Sequence, residues 1–480
     1  MTRIHNGTVP LVLLALGAVV AFGVLAVQDP VWAVVVIGGA VAAVSVGYGG
    51  VWAGSVSAAV AVLGMSGFIA AHVPRLGIAS EAAQAYLAAL GLAYGLSLIT
   101  RRRLQSKLIF PVAGYLFICG AVAFATILIS PLLAARGFLA LVFPVLVTLA
   151  IVGVLRRHTG ASEQRKRRLL TLTVVGVFVA NIVVALRQAF IGFTGPELTL
   201  IDRSVSTHGI DGTIRSMGLL PTNQDFGFLV ACLTPAALVA ATQLPRRPRI
   251  AVLIIGIIGV VALLTSLTRT SLVAATVALL LGLFAWGRGT TLGRVAKYTA
   301  LTGGLSAAVW WWLSASSSTR AQETRDRILT LTDLSQDRSF QDRSGDVYPR
   351  AIAAINENLL GAGAGSAGPV SQRYPSLAPY GSLTTDNGYL MIAVQIGVIG
   401  ALVFTFMLWA TIRALTAHVD AYRAAAATAV LSLAVAFISA QYWSLSAPAA
   451  VVAAVVGLGF GNPQRAHHRI SPPARSQASV

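Results

Sequence analysis

The stretch GFLALVFPVLVTLAIVGVL, residues 137–155, runs without a single charged side chain. At 1.5 Å per helical residue it spans ~28 Å, close to the ~30 Å hydrocarbon core of a bilayer. In lipid every backbone N–H and C=O must find its partner inside the segment, so a helix is the conformation such a run can adopt. Comparable runs recur at about 9–27, 31–48, 51–72, 82–100, 108–129, 137–155 and 169–190, then at about 226–243, 250–267, 271–286, 298–313, 387–412, 424–442 and 445–461. The expected fold class is an all-α polytopic membrane protein with about 12–14 transmembrane helices and one large extracytoplasmic loop containing short helices. Composition agrees: 56% of the 480 residues are hydrophobic and 11% are charged.

A net charge of +19 suggests nucleic acid as a partner, but its distribution argues otherwise. With the amino terminus inside, about 22 of the basic residues fall in inner segments, among them Arg101 to Arg103, Arg156, Arg165 to Arg168, Arg246, Arg247, Arg413 and Arg423. Of the acids only Glu163 and Asp420 join them, so the inner side carries about +20 and the outer side is near neutral. The basicity therefore sets topology, with attraction to anionic lipid as a secondary effect. No nucleic-acid partner is expected, and both termini are placed in the cytoplasm. The two cysteines, Cys119 and Cys232, lie inside apolar runs, which excludes a disulfide or metal framework.

Six regions follow: amino-terminal helices (1–193), a first long outer loop (194–225), central helices (226–313), a large outer loop (314–386), carboxy-terminal helices (387–461) and a basic cytoplasmic tail (462–480). Within the large loop, TRAQETRDRILTLTDL (319–334) reads as an exposed helix. Ala351, Ile352, Ile355 and Leu359 form a helical stripe that would lie on the bundle, before the glycine-rich turn LLGAGAGSAGP.

Ionisable groups at a membrane boundary are costly and need partners or a function. Arg187, Arg215 and Arg269 lie at or near outer helix ends, and Arg203, Arg343 and Arg350 lie in the outer loops. The planar guanidinium fork suits phosphate, although pairing with Asp211, Asp225 or Asp346 would be an equally simple use. Asp386, where the polar GSLTT turns into an apolar helix, is the candidate base; the alternative is that it caps that helix. His208 is a second candidate base. Neither a metal-ligand cluster nor a phosphate-cradling glycine loop is present.

Four segments in order carry a resemblance: RSMGLLPTN (Arg215, Asn223), SLTRTSL (Arg269), DRSGDVYPRAIAAINENLLGAGAG (Arg343, Arg350) and DNGYLMIAVQIGVIG (Asp386, Asn387, Tyr389). Over roughly 200–410 the chain resembles the O-antigen ligase and O-antigen polymerase group of bacterial polysaccharide enzymes. The resemblance implies a metal-independent glycosyltransferase without cofactors in the bacterial cytoplasmic membrane. Its donor would be a glycan on polyprenyl diphosphate, its acceptor another glycan, and its neighbours membrane lipid and other polysaccharide-assembly proteins. It further implies Arg215 and Arg269, with Arg343, as diphosphate ligands; by position Arg187 is a further candidate ligand and Asp386 the candidate base. Asn387, Tyr389, Arg350 and Asn223 would support the acceptor or the loops. The family's ligases usually carry a His in the large loop; this loop has none, and Asp386-Asn387 stands there instead. That departure favours a polymerase-like enzyme. A lipid-linked oligosaccharide flippase is the main alternative, but it would favour internal repeats and charges deep within helices.

Overall fold

The computed structural model describes residues 48–73, 77–100, 106–156, 161–203, 209–210, 213–286, 341–417, 420–441 and 446–461, with isolated positions between 293 and 329. The expected spans at 9–27, 31–48 and 298–313, the exposed helix at 319–334, His208 and the basic tail lie wholly or mainly outside the described residues.

The protein is an all-α polytopic membrane protein. In chain order its helices are α1 (Tyr48–Gly64), α2 (Ser66–His72), α3 (Gly77–Thr100), α4 (Ser106–Ile127), α5 (Pro131–Arg156) and α6 (Ala161–Phe190). After α7 (Gly195–Arg203) and a minimal antiparallel hairpin, β1 (Gly209–Ile210) and β2 (Thr213–Ile214), come α8 (Asn223–Gln243), α9 (Arg246–Thr265) and α10 (Arg269–Trp286). A π-helical turn (Arg343–Val347) leads into α11 (Tyr348–Glu357), followed by α12 (Pro369–Arg373), α13 (Gly388–Thr416), α14 (Ala421–Ala436) and α15 (Ser446–Phe460). Among the described residues, 7 helices are long and apolar enough to cross a membrane, or 8 if α1 and α2, bent by 65°, form one broken span.

Lipid is legible in the side chains. On α4, Phe110, Phe117 and Phe124 recur every seven residues and are 77%, 76% and 69% exposed, a stripe that only a hydrocarbon surround makes stable. On α13, Ile399, Leu402, Phe406 and Trp409 make a second outward stripe. Polar groups turn inward instead. Ser432 on α14 donates to the Ala231 carbonyl of α8 at 2.7 Å, and α8 is the most enclosed span together with α5.

Hydrogen bonds sort the helix ends into two sets. At one end Gly388 N donates to Phe437 O at 2.8 Å, joining the start of α13 to the end of α14, and Ser439 Oγ meets Thr270 Oγ1 at 2.9 Å, joining α14 to α10. At the other end Arg167 of α6 donates to Gly461 O, just past α15. The second end carries Arg156, Arg165, Lys166, Arg167, Arg168, Arg246, Arg247, Arg249, Arg413 and Arg423, against Glu163 and Asp420. The four motif segments belong to the first end.

Helix α13 breaks inside the bundle. Ile396 (φ −120°) and Gly397 (φ +79°) leave helical geometry about eight residues, or ~12 Å, from its start. Val398 N then bonds Leu359 O at 3.1 Å instead of its own helix, which releases the carbonyls of Val394 and Gln395. Ala362 N takes the first at 2.8 Å and Gly363 N the second at 3.2 Å. The glycine-rich loop thus plugs the break. Gln395 seals it from the side, accepting Gly365 N at 2.8 Å and donating to Ala367 O at 3.1 Å, while Thr126 Oγ1 accepts Ala364 N at 3.0 Å. Irregular backbone at this depth is tolerated because protein, not lipid, surrounds it: Ala364, Ser366 and Ala367 are buried. Glycine is required for contact as well as conformation. A Cβ on Gly137 of α5 would lie 2.2 Å from Gly365 N, and one on Gly361 2.6 Å from Gln395 O.

The expected stripe on α11 needs correction. Ala351 and Ala354 face α13 and are buried, whereas Ile352 is 48% and Leu359 59% exposed. Ala351 and Ile355 of the expected stripe do pack on the bundle, Ile355 half-buried against the core, while Ile352 and Leu359 turn outward.

Candidate functional site

The RSMGLLPTN segment is held by two buried amides of α6. Gln188 Oε1 accepts Met217 N and Gly218 N, each at 2.9 Å, and its Nε2 donates to Gly218 O at 3.0 Å and Glu197 Oε1 at 2.9 Å. Two turns earlier, Asn181 Oδ1 accepts Leu219 N at 3.0 Å while its Nδ2 donates to Gly64 O at 3.0 Å. Gly218 adopts φ +61° under these bonds, and a Cβ there would strike Asn181 Oδ1 at 2.8 Å. Thr222 caps α8, its hydroxyl accepting Asp225 N at 3.0 Å and donating to Asp225 Oδ2 at 2.9 Å. Arg215 is therefore presented by a rigid turn.

Arg187 belongs to this scaffold. Its guanidinium is drawn onto Glu197 and onto Gly192 O at 3.2 Å. Glu197 is satisfied on both oxygens, Oε2 accepting Thr194 N at 2.7 Å and Thr194 Oγ1 at 3.0 Å. Burial alone would push its carboxyl up, but the Thr194 amide, Gln188 and Arg187 outweigh it and hold the group below the ordinary carboxylate range.

The Arg269 loop adjoins the Arg215 turn through Ser216 N, which donates to Thr265 O at 3.3 Å. Leu267, two residues before Arg269, has φ +50°. A Cβ on Gly227 of α8 would meet Thr268 Oγ1 at 2.2 Å and Ser271 Oγ at 2.9 Å, so that face of α8 lies on the Arg269 loop. Asn223, one turn before Gly227 on the same face, is fully buried, and neither atom of its amide is hydrogen-bonded among the described residues.

On the far side, Asp386 and Arg343 form an ion pair, Arg343 Nε donating to Asp386 Oδ2 at 3.0 Å, with both side chains partly exposed. Asp386 does not cap α13. Asn387 does, its side chain accepting Leu390 N at 3.0 Å and donating to Ile438 O at 2.7 Å. Asp386 instead sits at φ +43°, and it and Leu267 are the two non-glycine residues with positive φ among the described residues. Such backbone costs of order 1–3 kcal/mol and persists where its surroundings over-determine it. Tyr348 stands close enough to feel both charges; burial raises its phenol, Arg343 lowers it and Asp386 raises it, for a net rise.

Other expected site residues take different places. Tyr389 braces α13 against α14, its hydroxyl donating to Ala434 O at 2.9 Å and its ring lying 5.6 Å from Phe437. Arg350 pairs with Asp346 at 3.5 Å on the open surface. Arg203 ends α7, and its side chain lies outside the described residues. Sequence reasoning missed Asn181, Gln188 and Glu197; the one signal was the two amides Asn181 and Gln188 within the apolar stretch of α6, and Glu197 on the polar α7 gave none.

Three motif loops are thus linked bond by bond. Asn387 reaches Ile438, its neighbour Ser439 reaches Thr270 beside Arg269, and Thr265 reaches Ser216 beside Arg215. Residues 251–405 match a protein-family model described as O-antigen ligase. The matched segment includes Arg269, Arg343, Asp386, Asn387 and the glycine-rich plug. The match makes this segment, about a third of the chain, similar to O-antigen ligases. Comparison with curated proteins finds no match.

Proposed function

We propose that this protein polymerises or ligates polyprenyl-diphosphate-linked glycan on the outer face of the bacterial cytoplasmic membrane, with the Arg343–Asp386 pair at its catalytic centre. The observation that carries the reading is that pair, built on strained backbone inside the segment similar to O-antigen ligases. An acceptor hydroxyl attacks the anomeric carbon of the donor sugar, and the bond from that carbon to the diphosphate oxygen breaks. The hydroxyl proton passes to Asp386, and polyprenyl diphosphate leaves with the bonding electrons. Arg215, Arg269 and Arg343 stabilise the charge that grows on the leaving group, a preorganised electrostatic effect that needs no metal. Arg187 acts as a positioning residue through Glu197.

The resting ion pair fits this scheme. It uses Arg343 Nε and Asp386 Oδ2, and Asp386 Oδ1 and the terminal guanidinium nitrogens take no part in it. A diphosphate arriving at Arg343 competes with Asp386 for the cation, so donor binding readies the base. Asn223 suits the same ligand, since a buried amide without partners costs about 1–3 kcal/mol until something fills its bonds. The basic end of the bundle is read as cytoplasmic, which sets the motif end outside.

The test is a deletion strain complemented with wild-type protein, Asp386→Asn or Arg269→Ala, assayed for the leaflet and length of accumulated lipid-linked glycan. Short units in the outer leaflet, in the deletion and in both variants, are expected. Accumulation in the inner leaflet would identify a flippase and overturn the reading.

A further inference from the structure

An unfilled cleft runs along the bundle and reaches its basic end, away from the Arg343–Asp386 pair. It is an open cleft of about 970 Å³, including the free space at its mouth, lined by α4, α5, α8, α13, α14 and α15. On α5 the lining residues Pro144, Thr148, Val152 and Arg156 follow one another at intervals of four, one stripe down a single helix face. From Pro144 to Arg156 that stripe runs ~18 Å, a little more than one leaflet of a ~30 Å hydrocarbon core.

Chemistry changes once along it. The hydroxyls of Thr148 and Thr411 are spent on backbone carbonyls, and the rest of the wall is aliphatic and aromatic, closed by residues such as Met407, Val456 and Phe460, until Arg156 at the basic helix ends. Arg156 is exposed and makes no ion pair among the described residues. The acids at this end have other partners: Glu163, which also feels the Arg156 charge, bonds Arg167 at 3.1 Å, and Asp420 caps α14 through Tyr422 N and Arg423 N. Water gains little in so apolar a space, and an empty one forfeits packing.

We infer that this opening binds one anionic phospholipid of the leaflet at the basic end, an acyl chain in the apolar cleft and the phosphate on Arg156. A cleft one leaflet deep with a cation at its surface end matches that molecule in length, polarity and charge. Arg413 stands at the same end, beside the Trp409 ring rather than in the lining, and contributes general attraction only. The lipid wedges α5 against α13 and α15, helices whose opposite ends carry the glycine-rich plug and the candidate base. The inference is independent of the glycan reading.

The full-length protein, purified in mild detergent, is offered phosphatidylglycerol and phosphatidylcholine in equal amounts, and retained lipid is read by native mass spectrometry. One phosphatidylglycerol per chain, retained over phosphatidylcholine, is expected. Arg156→Gln should lower its occupancy about ten-fold, the scale of one charge-assisted hydrogen bond. Thr411→Phe, which fills the lining from α13, should lower retention of both lipids, whereas Arg413→Gln should lower phosphatidylglycerol occupancy far less than Arg156→Gln does. Thermal unfolding of each variant confirms a folded chain. Equal retention of the two lipids, no response to Arg156→Gln, or a polyprenyl lipid as the retained mass would each overturn the inference.

Discussion

Asp386 accepts the Arg343 Nε proton at 3.0 Å across 43 residues of chain, from a backbone held at φ +43°. The residue beside it, Asn387, performs the helix capping that a carboxylate in this position would otherwise supply. Asp386 is thereby released from a structural duty, and its strained backbone serves the ion pair.

That separation predicts a split between stability and activity. Asp386→Gly removes the strain of a left-handed non-glycine residue, about 1 kcal/mol, and loses a partly exposed ion pair worth at most a similar amount. The thermal midpoint in detergent should stay within a few degrees of wild type, while glycan transfer falls at least ~100-fold.

Asn387→Ala should behave in the opposite sense. It removes the cap on α13 and the bond to Ile438 O, together about 1–3 kcal/mol. Lower unfolding temperature and a partial loss of transfer are expected. Asn387→Asp keeps the acceptor for Leu390 N but lacks the Ile438 donor, so it should recover part of both.

Gln395 tests the plugged helix break. Gln395→Leu leaves Gly365 N and Ala367 O without partners in a buried loop and should cost about 2–4 kcal/mol. Hydrogen exchange at Gly365 and its neighbours should accelerate, as the loop becomes the first part of the bundle to open.

The Glu197 scaffold predicts acid sensitivity. A carboxyl held below its unfolded value contributes stability that is complete above the ordinary carboxylate range and is lost as pH falls through the lowered value. Unfolding midpoints recorded from about pH 3 to 7 should fall on the acid side for wild type. Glu197→Gln should be less stable near neutrality and show a shallower acid limb.

Much of this architecture was legible in the sequence because lipid imposes its rule locally. A run such as 137–155 has one solution in a bilayer, and the arginines at one set of helix ends declare themselves by position. Arg343 and Asp386 were both picked out from motif segments, but their meeting depends on a fold that brings distant loops together. The break at Ile396–Gly397 was hidden, since VQIGVIGALVF keeps its hydropathy across the kink and the glycine-rich loop that repairs it lies some thirty residues earlier, as with Gly365 and Gln395. Capping was read one residue early because Asp and Asn are equally good caps by type. On α11 the expected stripe holds at Ala351 and Ile355, but contact distance replaced Ile352 with Ala354.

The most direct test reconstitutes purified protein in proteoliposomes with lipid-linked glycan donor and acceptor, and compares initial transfer rates of wild type, Asp386→Asn and Arg343→Gln at matched folded concentration. Loss of at least ~100-fold for Asp386→Asn, with donor binding intact, and a weakened donor affinity for Arg343→Gln are predicted. A near wild-type rate for Asp386→Asn would contradict the account, because the proton of the acceptor hydroxyl would then have to leave by another route.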